Sequence, residues 1–104
     1  MQAQQQLAVN AYSKEQHLNL TPVQVIHRLY DYAIMGCKKG DPILAQRALN
    51  ELILALDFDH KEIATGLFRL YDYCKGCVQK QHYQQAIEIL EDLRTTWAQA
   101  FHIS

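Results

Sequence analysis

The pentapeptide Arg-Leu-Tyr-Asp-Tyr occurs twice in this chain of 104 residues, at 28–32 and again at 69–73. The two copies are 41 residues apart, and the same offset aligns apolar residues beyond them. The aligned pairs include Ala45 with Ala86, Leu49 with Leu90, Leu52 with Leu93 and Leu56 with Trp97. The chain therefore reads as two copies of a two-helix unit. A solenoid needs roughly three or more repeats, so two copies favour a closed bundle.

The first unit carries strong helix boundary signals. Thr21 followed by proline and by Gln24 predicts a helix start with a capping box. Gly40 predicts the end of that helix, because glycine readily adopts the left-handed conformation. Asp41, again followed by proline, predicts that a second helix begins at once. A turn this short makes the two helices antiparallel neighbours.

The boundaries of the second unit are less sharply marked. We expect the second helix to end near Asp57. Residues 59–62 form another capping-box pattern and predict the start of the third helix. That helix should end between residues 79 and 81, and His82 or Tyr83 should open the fourth.

Apolar residues recur at spacings of three and four in all four segments, and no segment alternates with period two. The pattern predicts an all-α fold, an antiparallel up-down four-helix bundle in residues 21–104. Residues 1–20 are predicted to form a flexible, partly ordered N-terminal tail. The predicted core comprises Leu29, Tyr30, Leu49, Leu52, Leu70, Tyr71, Leu90, Leu93 and Trp97.

Composition excludes several classes of function. The net charge is −1 and no basic stripe is visible, so nucleic-acid binding is not expected. No apolar run approaches the roughly 18 residues of a membrane span. The glutamine-rich N-terminus resembles no secretory signal. Three cysteines without such a signal favour a reducing cytosol.

Motifs that would support catalysis or metal binding are weak. The only CxxC pair, Cys74 and Cys77, lacks a second pair of zinc ligands at matching spacing, so small buried thiols are the preferred interpretation. We therefore expect no enzyme activity, no metal and no cofactor. One alternative is a histidine phosphotransfer domain that uses His27, because residues 27–29 match the His-x-Leu part of that motif. Asp31 disfavours a phosphohistidine there, and a structural histidine fits better.

Short motifs spread along the chain resemble those of the flagellin-specific export chaperone family, FliS. They are Asn10-Ala11-Tyr12, Thr21-Pro22, Leu29-Tyr30-Asp31, Leu70-Tyr71-Asp72-Tyr73 and the final Leu-Arg-x-x-Trp at 93–97. The resemblance implies a cytoplasmic bacterial chaperone that binds the C-terminal segment of monomeric flagellin. Binding would prevent premature polymerisation and support type III export. The export gate and a regulator or co-chaperone are further implied partners, and a generic helical adaptor is the other alternative.

Candidate partner-binding residues are apolar or aromatic side chains outside the predicted core stripes. They are Tyr12 in the tail, then Tyr32, Ile43, Ile53, Tyr73 and Ile89. Scattered exposed apolar residues are also normal on proteins, so a groove for a partner helix is one of two interpretations. We further hypothesise that residues 12–20 cover part of the groove until the partner displaces them. The alternative for Tyr12 is a simple tail anchor.

Overall fold

The computed structural model describes residues 20–103, which contain four α-helices and no strand. The helices are α1 (Pro22–Lys39), α2 (Pro42–Leu54), α3 (Lys61–Gln79) and α4 (Tyr83–Ala100). The predicted all-α fold with four helices is confirmed. The predicted tail, with Tyr12, lies outside the described residues except for Leu20.

The start of α1 shows the capping box that the sequence predicts. The Thr21 hydroxyl accepts a hydrogen bond from the Gln24 amide at 3.2 Å, and the Gln24 side chain accepts one from the Thr21 amide at 3.0 Å. Two backbone amides that the helix itself leaves without partners are satisfied in this way.

The turn between α1 and α2 is closed by a Schellman motif. Gly40 has φ +65°, its amide donates to the Cys37 carbonyl at 3.2 Å, and the Asp41 amide donates to the Gly36 carbonyl at 2.8 Å. The Asp41 carboxylate then caps α2 by accepting from the Leu44 amide at 3.1 Å. Two residues therefore connect the helices and leave few backbone groups unpaired.

The turn between α3 and α4 repeats this geometry 41 residues later. The Gln81 amide donates to the Val78 carbonyl at 3.0 Å, and the His82 amide donates to the Cys77 carbonyl at 2.8 Å. Gln81 has φ +61°, which costs a residue with a side chain about 1–2 kcal/mol. The internal repeat thus extends to the backbone of its turns, although the second copy lacks the glycine.

Two boundary predictions are corrected. α2 ends at Leu54 rather than near Asp57, and residues 55–60 lead into α3. The predicted capping box at the start of α3 does not form, because His60 occupies the N-cap position and makes no side-chain cap bond. The Asp59 amide instead donates to the Asp57 carboxylate at 3.0 Å. This local turn competes with the cap.

Each helix packs against two neighbours, with α1 and α3 both contacting α2 and α4. Polar contacts between α1 and α4 pair early residues of one helix with late residues of the other. They are Trp97 Nε1 to the Val23 carbonyl (2.9 Å), Arg94 to Asp31 (2.8 Å) and Lys38 to Glu91 (3.5 Å). This is the contact order of antiparallel neighbours.

The predicted core is buried with one clear exception. Leu29, Tyr30, Leu49, Leu52, Tyr71 and Leu90 are buried, and Leu93 and Trp97 are partly buried against them. Leu70 is 39% exposed, so its assignment to the core is wrong. Because one residue along a helix is a rotation of about 100°, the neighbours Leu70 and Tyr71 face different directions. Tyr71 takes the core position instead, in line with Cys74 and Val78.

Gly36 explains the close approach of α1 to α2. A Cβ atom at this position would lie 2.6 Å from the Ala45 nitrogen and 2.9 Å from its Cα. Only a residue without a side chain fits there, because atoms at such distances overlap.

At the centre of the bundle, Tyr30 of α1 and Tyr71 of α3 meet through their hydroxyl groups at 2.6 Å. The two residues are separated by the offset of the repeat, so equivalent positions of the two units meet here. Burial raises the pKa of both hydroxyls above the ordinary value, and both remain neutral hydrogen-bonding groups. The pair satisfies two polar groups that would otherwise be costly to bury.

Candidate functional site

An apolar groove of about 400 Å³ opens at the end of the bundle where α1 and α3 begin and α2 and α4 end. Each of the four helices, together with the 55–60 connection, contributes to its wall. The apolar lining comprises Pro22, Val23, Val25, Ile26, Leu52, Ala55, Leu56, Ile63, Ala64, Leu67, Trp97 and Phe101, and Tyr71 lies among them. We call this site the apolar groove.

The two repeats contribute unequally to this end of the bundle. Where the first unit has Val25, the second has Gly66, and a side chain added to Gly66 would meet only open space. Where the second unit has Trp97, the first has the smaller Leu56. Val25, Leu56 and Trp97 line the groove, whereas Gly66 does not. The smaller side chain of Leu56 helps to leave the groove open.

The mouth of the apolar groove exposes large apolar side chains. Ile63 is 68% exposed, and Phe101 is exposed beside Trp97, with the two ring centroids 4.6 Å apart. The Trp97 ring nitrogen already donates to a backbone carbonyl, so it needs no partner from outside. The remaining lining residues, Asp57 and His60, are polar. A groove with mostly apolar walls is suited to receive apolar side chains.

The predicted partner-binding residues do not come together at this groove. Tyr12 lies outside the described residues, and none of the other five lines the groove. Ile43 (71% exposed) and Tyr73 lie on the surface, whereas Ile53 and Ile89 are partly buried against the core. Tyr32 is also partly buried and borders a different depression, between α1 and α4. Their roles in binding stay predictions.

Sequence reasoning missed Ile63 and Leu56 as members of a site. A helical wheel describes positions around one helix and ignores their height along the bundle. The signal was present in the sequence, because apolar residues near the starts of α1 and α3 and near the ends of α2 and α4 must meet at one end of an up-down bundle.

The three thiols are buried, as expected from their place near the core stripes. Cys37, Cys74 and Cys77 are free cysteines. Burial, with the neighbouring Cys77, raises the pKa of Cys37 to about 11 and that of Cys74 to about 12. Both groups are therefore protonated thiols with little nucleophilic character. Within residues 20–103, no group of three or more potential ligands could hold a metal ion.

His27 belongs to a small ionic network on the α1 surface. Its Nδ1 lies 4.0 Å from the Asp31 carboxylate, which also accepts a hydrogen bond from Arg94 at 2.8 Å. A carboxylate at this distance would repel a phosphoryl group on the imidazole. The geometry therefore favours a structural histidine.

Four amphipathic helices with an open apolar groove at one end define a helical-bundle binding protein. Across the described range, no helix is long and apolar enough to cross a bilayer. A family profile described as flagellar protein FliS matches residues 42–104, which is more than half of the chain. The chain belongs to the FliS family, whose members are flagellar export chaperones rather than enzymes. No curated protein and no solved structure gives a significant match.

Proposed function

We propose that the protein binds the C-terminal segment of monomeric flagellin in the bacterial cytoplasm, prevents its premature polymerisation and supports its type III export. Membership of the FliS family supports this function. The observation that carries the proposal is the apolar groove, which presents Ile63 and Phe101 to solvent at one end of the bundle.

The chemistry of the groove suits an amphipathic helix of a partner. Such a helix lays its apolar face in a groove and leaves its polar face in water. A segment that orders only on binding incurs an entropic cost. Burial of apolar surface offsets that cost by about 25 cal/mol per Å², so a contact with several exposed apolar side chains is required.

The tail is proposed to regulate access to the same groove. Pro22 and Val23 line the groove, and Leu20, just before them, lines the depression between α1 and α4. In this proposal, residues 12–20 cover the groove in the free protein, with Tyr12 as the principal anchor, and flagellin displaces them. Deletion of residues 1–17 should strengthen flagellin binding, and an unchanged affinity would contradict the covering role.

The experiment that tests the function is calorimetric titration of the protein with the C-terminal segment of flagellin from the same cell. We expect a one-to-one complex with a negative heat-capacity change, the signature of buried apolar surface. Ile63→Glu should weaken binding about tenfold or more, because it places a charge at the mouth of the groove.

Ile43→Glu is the matched control for that variant. Both residues are isoleucines in the first turns of their helices, and both are largely exposed, at 68% and 71%. Only Ile63 lines the apolar groove. If Ile43→Glu weakens binding as much as Ile63→Glu, the groove is not the principal site. If the wild-type protein gives no heat at several temperatures, the generic helical adaptor becomes the better interpretation.

The proposal extends to the two other partners that the family resemblance implies, the export gate and a regulator or co-chaperone. Capture of the flagellin complex by the cytoplasmic domain of the gate, compared with capture of the free protein, tests the first. Phosphotransfer through His27 has no observation in its favour, because the Asp31 carboxylate lies 4.0 Å from the imidazole.

A further inference from the structure

We infer that the surface between α1 and α4 is a second docking site, which takes an acidic amphipathic helix of a protein partner. A depression of about 910 Å³ lies along this surface, which we call the basic face. Its cationic lining residues are Arg28, Lys38, Lys39 and Arg94, and Met35 and Ile103 contribute apolar surface between them. The basic face shares no lining residue with the apolar groove.

Positive and negative side chains are unevenly distributed over the folded chain, which the net charge of −1 does not show. Residues 20–103 contain nine lysines and arginines, and four of them line the basic face, whose carboxylates are Asp31 in the lining and Glu91 in contact with Lys38. The remaining five cations of this range are outnumbered by eight carboxylates. A partner with negative charge is therefore attracted to the basic face and repelled by the rest of the described surface.

Two cations of the face, Lys38 and Arg94, keep donors for a partner despite their ionic contacts. Lys38 contacts Glu91 at 3.5 Å, but both side chains are largely exposed, and a surface pair of this kind is worth little. Arg94 bonds to Asp31 and still has further guanidinium donors. Arg28 and Lys39 are eleven residues apart on α1, which is about 16 Å along the helix axis. Carboxylates about three helical turns apart on a partner would match this spacing.

The apolar lining residues Met35 and Ile103 distinguish the basic face from a site for nucleic acid. Met35 is 39% exposed, and the flexible thioether of methionine adapts to different apolar partners. The chain after α4 turns back through His102, which has φ +54°, and the Ile103 amide donates to the Ala98 carbonyl at 2.9 Å. This turn places Ile103 in the lining of the basic face. Apolar surface framed by cations fits a helix with one apolar and one acidic side.

The test uses the full-length protein and a synthetic helical peptide of about 18 residues, with leucines along one face and glutamates beside them. A second peptide carries lysine in place of each glutamate. Titration of the ¹⁵N-labelled protein should shift the amide signals of residues 28–39 and 94–103 with the glutamate peptide only. The affinity should fall as salt is raised, because exposed charges are screened.

Charge reversal supplies the matched variants. Lys38→Glu/Lys39→Glu should weaken the glutamate peptide about tenfold or more. Lys61→Glu/Lys80→Glu makes the same change in net charge at exposed positions on or beside α3, and should leave the affinity nearly unchanged. Ile63→Glu should also leave it unchanged, which separates this inference from the proposed flagellin site. Equal losses in the two charge-reversed variants would overturn the inference.

Four other outcomes would also overturn it. Signal changes confined to the apolar groove would assign the peptide to that site. Equal binding of the lysine peptide would remove the role of charge. If the glutamate peptide binds only after deletion of residues 1–17, the natural occupant of the face is the tail of this chain. A DNA duplex that competes at equal concentration would favour a nucleic-acid site.

Discussion

The buried contact between Tyr30 and Tyr71 allows a stringent test of how the two halves of the bundle are joined. Each hydroxyl is within 2.6 Å of the other and both are buried. Tyr71→Phe removes one hydroxyl and leaves that of Tyr30 without its partner. An unsatisfied buried polar group costs about 1–3 kcal/mol, so each single variant should lose stability in that range.

The double variant should behave differently. Replacing both tyrosines by phenylalanine removes both polar groups and keeps both rings, and such paired replacements are nearly neutral. The sum of the two single losses should therefore exceed the loss in the double variant by about 2–6 kcal/mol. This coupling energy is the quantity that the cycle measures.

Urea unfolding followed by circular dichroism at 222 nm gives the free energies of unfolding of the four proteins. In a domain of this size, a loss of 1 kcal/mol lowers the Tm by about 4–8 °C. Tyr73→Phe is a matched control, because Tyr73 is exposed and its hydroxyl makes only a long contact of 3.5 Å with Gln85. Additive losses in the double variant would refute the hydrogen bond as the source of the coupling.

Three further perturbations have defined outcomes. Gly36→Ala should destabilise the protein by about 1–3 kcal/mol, because its Cβ would overlap the α2 backbone. Gly66→Ala has open space and should stabilise α3 by about 0.5–1 kcal/mol. Equal Tm values for the two variants in thermal unfolding would contradict the packing. Trp97→Ala should cost about 3 kcal/mol in urea unfolding, and a near-normal value would show that the ring makes only surface contacts. In the folded protein the pKa of Cys37 is about 11 and that of Cys74 about 12, above the ordinary value of 9. As pH rises, the unfolded chain therefore loses its thiol protons before the folded protein does, and the free energy of unfolding should fall above a pH of about 9. Urea midpoints between pH values of about 8.5 and 10 should fall less steeply in Cys37→Ala/Cys74→Ala, and equal slopes would contradict the burial of the thiols.

The sequence predicted best what neighbouring residues decide. The capping box at Thr21 and the left-handed turn at Gly40 depend on a few adjacent groups, and both form as expected. The capping box of α3 was predicted wrongly, because a turn at Asp57 takes the Asp59 amide. Local signals are sufficient when one arrangement satisfies the backbone, and insufficient when two arrangements compete.

Leu70 and the candidate site show what a sequence pattern leaves undetermined. Leu70 and Tyr71 are adjacent and both suit a core, and the choice depends on Tyr71 meeting Tyr30 across the bundle. Likewise, Ile63 and Phe101 are far apart in sequence and become part of one groove only when the helix ends converge. Phase around a helix and position along a bundle are tertiary properties, and periodicity within one helix does not fix them.

The contact between equivalent tyrosines of the two units bears on how such a chain can originate. In a symmetric dimer, a residue on the axis contacts its own copy in the partner, and Tyr30 and Tyr71 make that type of contact within one chain. The bundle therefore has the form of two helical hairpins of common design, fused through residues 55–60. Fusion frees each copy to diverge, so that one hairpin keeps the glycine turn and Val25 while the other acquires Gln81 and Gly66. The apolar groove is bordered by Trp97 from one unit and by the smaller Leu56 from the other, an asymmetry that an unfused pair of identical hairpins would be unable to encode.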